Sequence, residues 1–223
     1  MSGFGQSGPL AGEPGHDVTY AAHAGVVALS GTSGGPPAWG PGVPVADLCA
    51  AMSALLAAVH ERTSTGKGRH LDVSIRDCLS HWLNARLGPF HHAGLTALDD
   101  QRAMALERPG YHTFTCVDGT AIAIGAIEDH FFGRLVRTLG LAEWAEPRWS
   151  AYRAREEAVD GINAAVAAAL ATRDATTVLA EPAGAGVPVA RVLPPLEAVE
   201  ASGRTVDHPT AGPLLPFPVA MPS

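Results

Sequence analysis

Apolar positions recur every three or four residues from Val45 to Arg62: Val45, Leu48, Cys49, Met52, Leu55, Leu56 and Val59 share that spacing. The period predicts an amphipathic helix, opened just after Pro44 and closed before Gly66 and Gly68. Upstream, "VTYAAHAGVVALSG" (18–31) is short and apolar enough for a helix closed by Gly31. Residues 1–17 and 31–44 carry too much Gly and Pro for anything but irregular loop. "RHLDVSIRDCLSHWLNARL" reads as a short strand, His70 to Val73, running into a helix over Ser74–Leu87. From Gly88 to Gly110 periodicity fades between Pro89, Gly94 and Pro109, which predicts a linker. Beyond it "YHTFTCVDGTAIAIGAI" alternates on both sides of Asp118-Gly119, the pattern of a hairpin with a type I′ turn. Helices are expected over 128–140, ended by Gly140, and over the Ala-rich 154–171. "TTVLAEPAGAGVPVARVLPP" then gives a helix end, a Gly/Pro turn and a short apolar strand. The tail has prolines at 209, 213, 216, 218 and 222 and cannot form a core element by itself. The expected organisation is 1–87, a linker over 88–110, a small α+β domain over 111–195, and a Pro-rich return segment over 196–223.

Composition narrows the function classes. Apolar residues make up 47% of the 223, enough for a buried core, while charged residues are 17% and the formal net charge is −7. That balance argues against nucleic acid or an anionic membrane as partner, since both need clustered Lys and Arg. Three widely spaced cysteines, Cys49, Cys78 and Cys116, predict neither a disulfide framework nor a metal site, and fit a reducing, cytoplasmic setting. His81, His91 and His92 lack a further ligand at sensible spacing, so no metal is expected.

Gly3-Phe4-Gly5-Gln6-Ser7-Gly8 spells G-x-G-x-x-G, yet only Met1 and Ser2 precede it and Pro9, Gly12, Pro14 and Gly15 follow. A dinucleotide loop needs a strand before it and a helix after it, so that mechanism is excluded. Three acid/base candidates remain. His16 lies in "PGHD" after the Gly-rich loop, and Asp47 stands in the first turn of the Val45 helix, whose free N–H groups favour an anion. Glu128 follows the apolar strand "AIAIGAI". Taken singly, each also fits a structural part: a loop histidine, a helix-dipole carboxylate, a helix-start glutamate.

Together their surroundings resemble one family. "GFGQSGP" with "PGHDVTYAAHAG", the stretch "VADLCAAMSALLAAVHERTSTGKGRHLDVSIRDCLS", and "DGTAIAIGAIEDHFFGRLVRTLGL" are similar to the type III CoA-transferases (CaiB/BaiF), in particular their α-methylacyl-CoA racemase branch. The resemblance implies an α/β fold: a helical remnant of a large Rossmann-like domain, followed by a small α+β domain. It implies that His16, Asp47 and Glu128 are catalytic, that Gly5, Gln6, Gly15 and Tyr20 line the acyl-CoA path, and that the CoA thioester is substrate with no further cofactor. In the transferase branch the position of Asp47 is the nucleophile, while His at position 16 favours the racemase branch. Two bases then exchange an α-proton, with N–H groups at the start of the Asp47 helix expected to hold the enolate oxygen. Relative to full-length members the chain is expected to lack an N-terminal nucleotide-fold segment and the C-terminal end. It is therefore expected to work as a homodimer or paired with a separate N-terminal half. An inactive fragment or assembly partner is the remaining alternative.

Overall fold

The computed structural model describes residues 1–216. It divides into two compact units, Met1–Arg108 and a second beginning at Pro109.

The first unit is helical: α1 (Asp17–His23), a 3-10 turn (Val27–Leu29), α2 (Val45–Thr65), α3 (Ile75–Trp82), α4 (Asn84–His92) and α5 (Leu98–Leu106). α2 runs as its periodicity predicts and stops at Gly66, whose φ of 70° admits the left-handed cap. Only part of its apolar face is buried. Ala46, Cys49 and Ala50 pack on Ala21, Ala24, Ile75 and Leu79, because small side chains let three helices approach closely. Leu48, Met52, Leu55, Leu56 and Val59 stay exposed, Leu56 at 66%.

Three further expectations for this unit are corrected. The first helix ends at His23, not Gly31: Gly25 takes φ 82° and the Val26 N–H returns to the Ala21 carbonyl. His70–Val73 forms no strand. A strand needs a ladder of partners, and Ser74 makes only an isolated parallel bridge to Ser2. Residues 88–110, expected as linker, hold the end of α4 and all of α5. From α5 the fully enclosed Arg102 donates to the carbonyls of Ala28, Ser30, Thr32 and Gly35, which fixes the loop after α1.

The second unit is α+β. β1 (Tyr111–Thr115), β2 (Ala121–Gly125) and β3 (Val189–Arg191) form an antiparallel sheet in the order β1-β2-β3, with Tyr111 opposite Gly125 and Ile122 opposite Arg191. Between β2 and β3 run α6 (Asp129–Thr138), α7 (Tyr152–Glu156), α8 (Val159–Leu170) and α9 (Ala175–Gly184). Phe114, Ile122 and Ile124 face Leu135, Val166, Leu170 and Val178, so alternation on the strands meets the apolar sides of α6, α8 and α9. The expected 154–171 helix is interrupted: Ala158 leaves helical geometry at φ −129°, separating α7 from α8. After β3 come α10 (Pro195–Ala201), β4 (Val206–His208) and β5 (Gly212–Leu214), with no fully buried residue. Residues 217–223 of the expected return segment lie outside the described residues.

The β1–β2 turn is also not type I′. Gly119 alone has positive φ (79°), and its N–H donates to the Cys116 carbonyl, so Val117-Asp118-Gly119 make a three-residue loop. Asp118 accepts from the Thr120 N–H and from the Ala175 N–H at the head of α9, both at 3.0 Å. Those backbone bonds, Ala175's first, hold its carboxyl below the ordinary value, and Asp174 is lowered similarly by Thr177.

Two predictions follow from this packing. Ala50→Leu overfills the α1–α2–α3 contact and costs about 1–3 kcal/mol, while Leu56→Ala changes stability by less than about 0.5 kcal/mol; denaturant unfolding of the full chain measures both. The stabilisation from Asp118 is complete above its unfolded value and is lost as pH falls through its lowered folded value. Thermal melts of Asp118→Asn therefore show a shallower acid dependence than wild type below about pH 4.

Candidate functional site

In the first unit the Gly-rich loop is tied to α3. Ser2 and Gly3 carbonyls accept from Ile75 and Arg76 N–H, and Ser74 Oγ accepts from Asp77 N–H, so the first donors of α3 are all used. Tyr20 of α1 locks this loop from the other side. Its hydroxyl donates to the Gly15 carbonyl at 2.6 Å and its ring meets Phe4 edge-on at 5.2 Å. A Cβ at Gly3 or Gly15 would stand 2.3 or 2.4 Å from that ring, so both positions require glycine. Of the four positions assigned to the acyl-CoA path, Gly15 and Tyr20 thus hold each other. Gly5 is buried with φ 85°, and the Gln6 N–H donates to Asp72 Oδ2 at 3.1 Å.

His16 is the N-cap of α1 and exposed. Thr19 Oγ1 accepts from its N–H at 2.9 Å and donates to its carbonyl at 2.8 Å, fixing the backbone from which the imidazole projects. The next residue does what the sequence reading did not anticipate. Asp17 is buried at 8% exposure, and its Oδ1 accepts from Ala46 N–H at 2.7 Å and Asp47 N–H at 3.1 Å. Pro44, the N-cap of α2, offers no side-chain acceptor, so Asp17 caps α2 from 29 residues upstream. Two signals were available: a second acid beside His16, and a helix preceded by proline with no Ser, Thr, Asn or Asp to cap it.

Through this bond the chain neighbour of His16 grips the backbone of Asp47, bringing the two candidates to one end of the unit. The same bond corrects an expectation. Ala46 and Asp47 N–H are engaged by Asp17, and Leu48 N–H by the Pro44 carbonyl. These groups at the start of α2 are not open to an enolate oxygen. Asp17 Oδ2 is buried and without a hydrogen-bond partner among the described residues. Beside Asp17 opens an apolar cleft of about 340 Å³ walled by Ala21, Val26, Trp39, Leu79 and Trp82.

Glu128 belongs to the second unit. It is the exposed N-cap of α6, placed by Ala126, whose N–H donates to the Gly110 carbonyl at 2.9 Å at the end of β2. The cysteines offer no thiolate nucleophile at Cys49 or Cys116, because burial pushes both thiols up.

The model of CoA-transferase family III matches residues 1–219. The chain belongs to CoA-transferase family III. It is 32% identical over 201 residues to the acetyl-CoA:oxalate CoA-transferase of Acetobacter aceti, covering 88% of this chain and 51% of that protein. It is 34% identical over 150 residues to the human alpha-methylacyl-CoA racemase, covering 63% of this chain and 38% of that protein. A CAIB/BAIF family protein from Brucella suis superposes with a TM-score of 0.74 at 26% identity, over 99% of this chain and 60% of that one. The chain thus spans about half the length of the curated relatives it matches. Family III includes both transferases and racemases, and no described helix is long and apolar enough to cross a membrane.

The Asp17 cap yields a direct expectation. Asp17→Ala removes the acceptor at the head of α2 and costs about 0.5–2 kcal/mol, measured as a shift in the denaturant midpoint with unchanged slope.

Proposed function

We propose that this family III chain carries the acid/base residues of an acyl-CoA racemase-type enzyme acting at the α-carbon of a 2-methylacyl-CoA thioester. The observation that supports it is the Asp17 bridge, which holds the His16 segment against the first turn that bears Asp47. One of the pair removes the α-proton while electrons move onto the thioester oxygen. The other delivers a proton to the opposite face, which inverts the centre without net oxidation or reduction. The apolar cleft beside Asp17 suits a branched acyl group. Gly5, Gln6, Gly15 and Tyr20 shape the approach, the last two through their mutual hydrogen bond. Glu128 serves as an orienting or tuning carboxylate in this reaction. The CoA thioester is the substrate and no other cofactor takes part. The working form is a homodimer.

A second reading is favoured by the oxalate CoA-transferase, which matches over 88% of this chain. There the Asp47 carboxylate attacks the thioester carbonyl, expels the CoA thiolate and leaves an acyl-aspartyl anhydride for an acceptor carboxylate.

Incubation with a 2-methylacyl-CoA in D₂O separates the two. Deuterium entering the α-carbon without exchange of CoA supports the racemase, and a hydroxylamine-sensitive adduct on Asp47 supports the transferase. His16→Ala and Asp47→Ala each lower inversion of the α-carbon by at least about 10²-fold, while the remaining base still exchanges the α-proton on its own face. A double variant that still exchanges at the wild-type rate would sink the racemase reading.

A further inference from the structure

Glu128 has no side-chain hydrogen bond to the helix it caps, so its place depends on the backbone beneath it. That backbone is gripped by one side chain. Arg155 of α7 is fully enclosed, at 0% exposure, and its Nη2 donates to the Ile127 carbonyl and to Asp129 Oδ1, both at 2.8 Å. A single nitrogen therefore joins the residue before Glu128 to the residue after it. The other arm, Nη1, donates to the carbonyls of Trp149 at 3.1 Å and Ser150 at 2.9 Å. The guanidinium carbon lies 4.4 Å above the Phe132 ring and 5.6 Å from that of Tyr152.

This is a costly arrangement for a mere filler. A buried charge loses its hydration, and its one carboxylate partner, Asp129, is itself 60% exposed. The remaining compensation comes from three carbonyl oxygens and two aromatic faces. Apolar residues would hold such a site as well or better. What they would not do is fork to both neighbours of one residue, a geometry that a planar guanidinium supplies and a lysine ammonium does not. α7 is a short helix separated from α8 at Ala158, and Arg155 lies buried in its last turn.

We infer that Arg155 is the positioning residue for Glu128, fixing the Ile127–Asp129 backbone from which the Glu128 side chain projects. The inference rests on Glu128 taking part in the reaction proposed above, and its test separates the two. Arg155→Lys is compared with wild type by site-resolved amide exchange. Exchange at Ala126 and Phe132, whose N–H groups bond to the Gly110 and Glu128 carbonyls at either side of the segment, rises about tenfold or more, while β1 and α8 keep their protection. Unchanged exchange at both amides overturns the inference whatever the activity. In the α-deuteration assay Arg155→Lys lowers kcat and leaves KM in place, as Glu128→Gln does, and the double variant is no slower than Glu128→Gln alone. Losses that multiply in the double variant mark a structural role only and also overturn it. If wild type shows no α-exchange, the racemase proposal fails, and Arg155 stands or falls on the amide data. Should Arg155→Lys not fold, Asp129→Ala removes one contact at an exposed side chain and must speed exchange at Ala126 or Phe132 by itself; if it does not, the inference is wrong.

Discussion

One carboxylate oxygen organises the first unit. Asp17 Oδ1 accepts two N–H groups at the head of α2, a helix whose own cap position is proline and offers nothing. A helix start without an acceptor leaves donors unsatisfied in a buried place. Asp17 removes that penalty and in doing so fixes the entry of α1 against the entry of α2. His16 precedes it by one residue and Asp47 donates to it directly. The cap therefore holds the Asp47 backbone against the residue that follows His16. Elsewhere the unit leaves room for this bond: Ala21, Ala24, Ala46 and Ala50 allow close helix contact, and Tyr20 fits between Gly3 and Gly15.

Buried polar groups do similar work at three points. Asp17 caps α2, Arg102 gathers four carbonyls of the loop after α1, and Arg155 bridges the segment around Glu128. Each takes over what secondary structure would otherwise supply, namely partners for backbone groups in irregular chain. In a protein rich in Gly and Pro loops, such anchors define loop shape where helices and strands do not reach.

Much was legible before the structure. The span of α2, the β1–β2 hairpin, the stop at Gly140 and the short strand after α9 follow from period, turn residues and glycine placement. The family was legible from motifs in combination, and with it His16, Asp47 and Glu128 as candidates. Other features were hidden for physical reasons. Periodicity finds that α2 is amphipathic but not which of its apolar positions have a partner: Cys49 is buried, while Leu48, Met52, Leu55, Leu56 and Val59 are exposed. Gly25 and Gly31 carry equal local signal, and only tertiary contact decides which one ends α1. The end of α4 and all of α5 were read as linker because Pro89 lies inside α4 and α5 has little apolar contrast. The roles of Asp17, Arg102 and Arg155 are long-range hydrogen bonds, which no local pattern encodes.

The central claim is that Asp17 couples the two candidate bases through the head of α2. Site-resolved amide exchange at Ala46 and Asp47 tests it most directly, comparing wild type with Asp17→Ala in the full chain. Both amides should be protected in wild type and exchange at least about tenfold faster in the variant, with α3 and the β1–β2 sheet unchanged. Equal exchange in the two proteins would contradict the account.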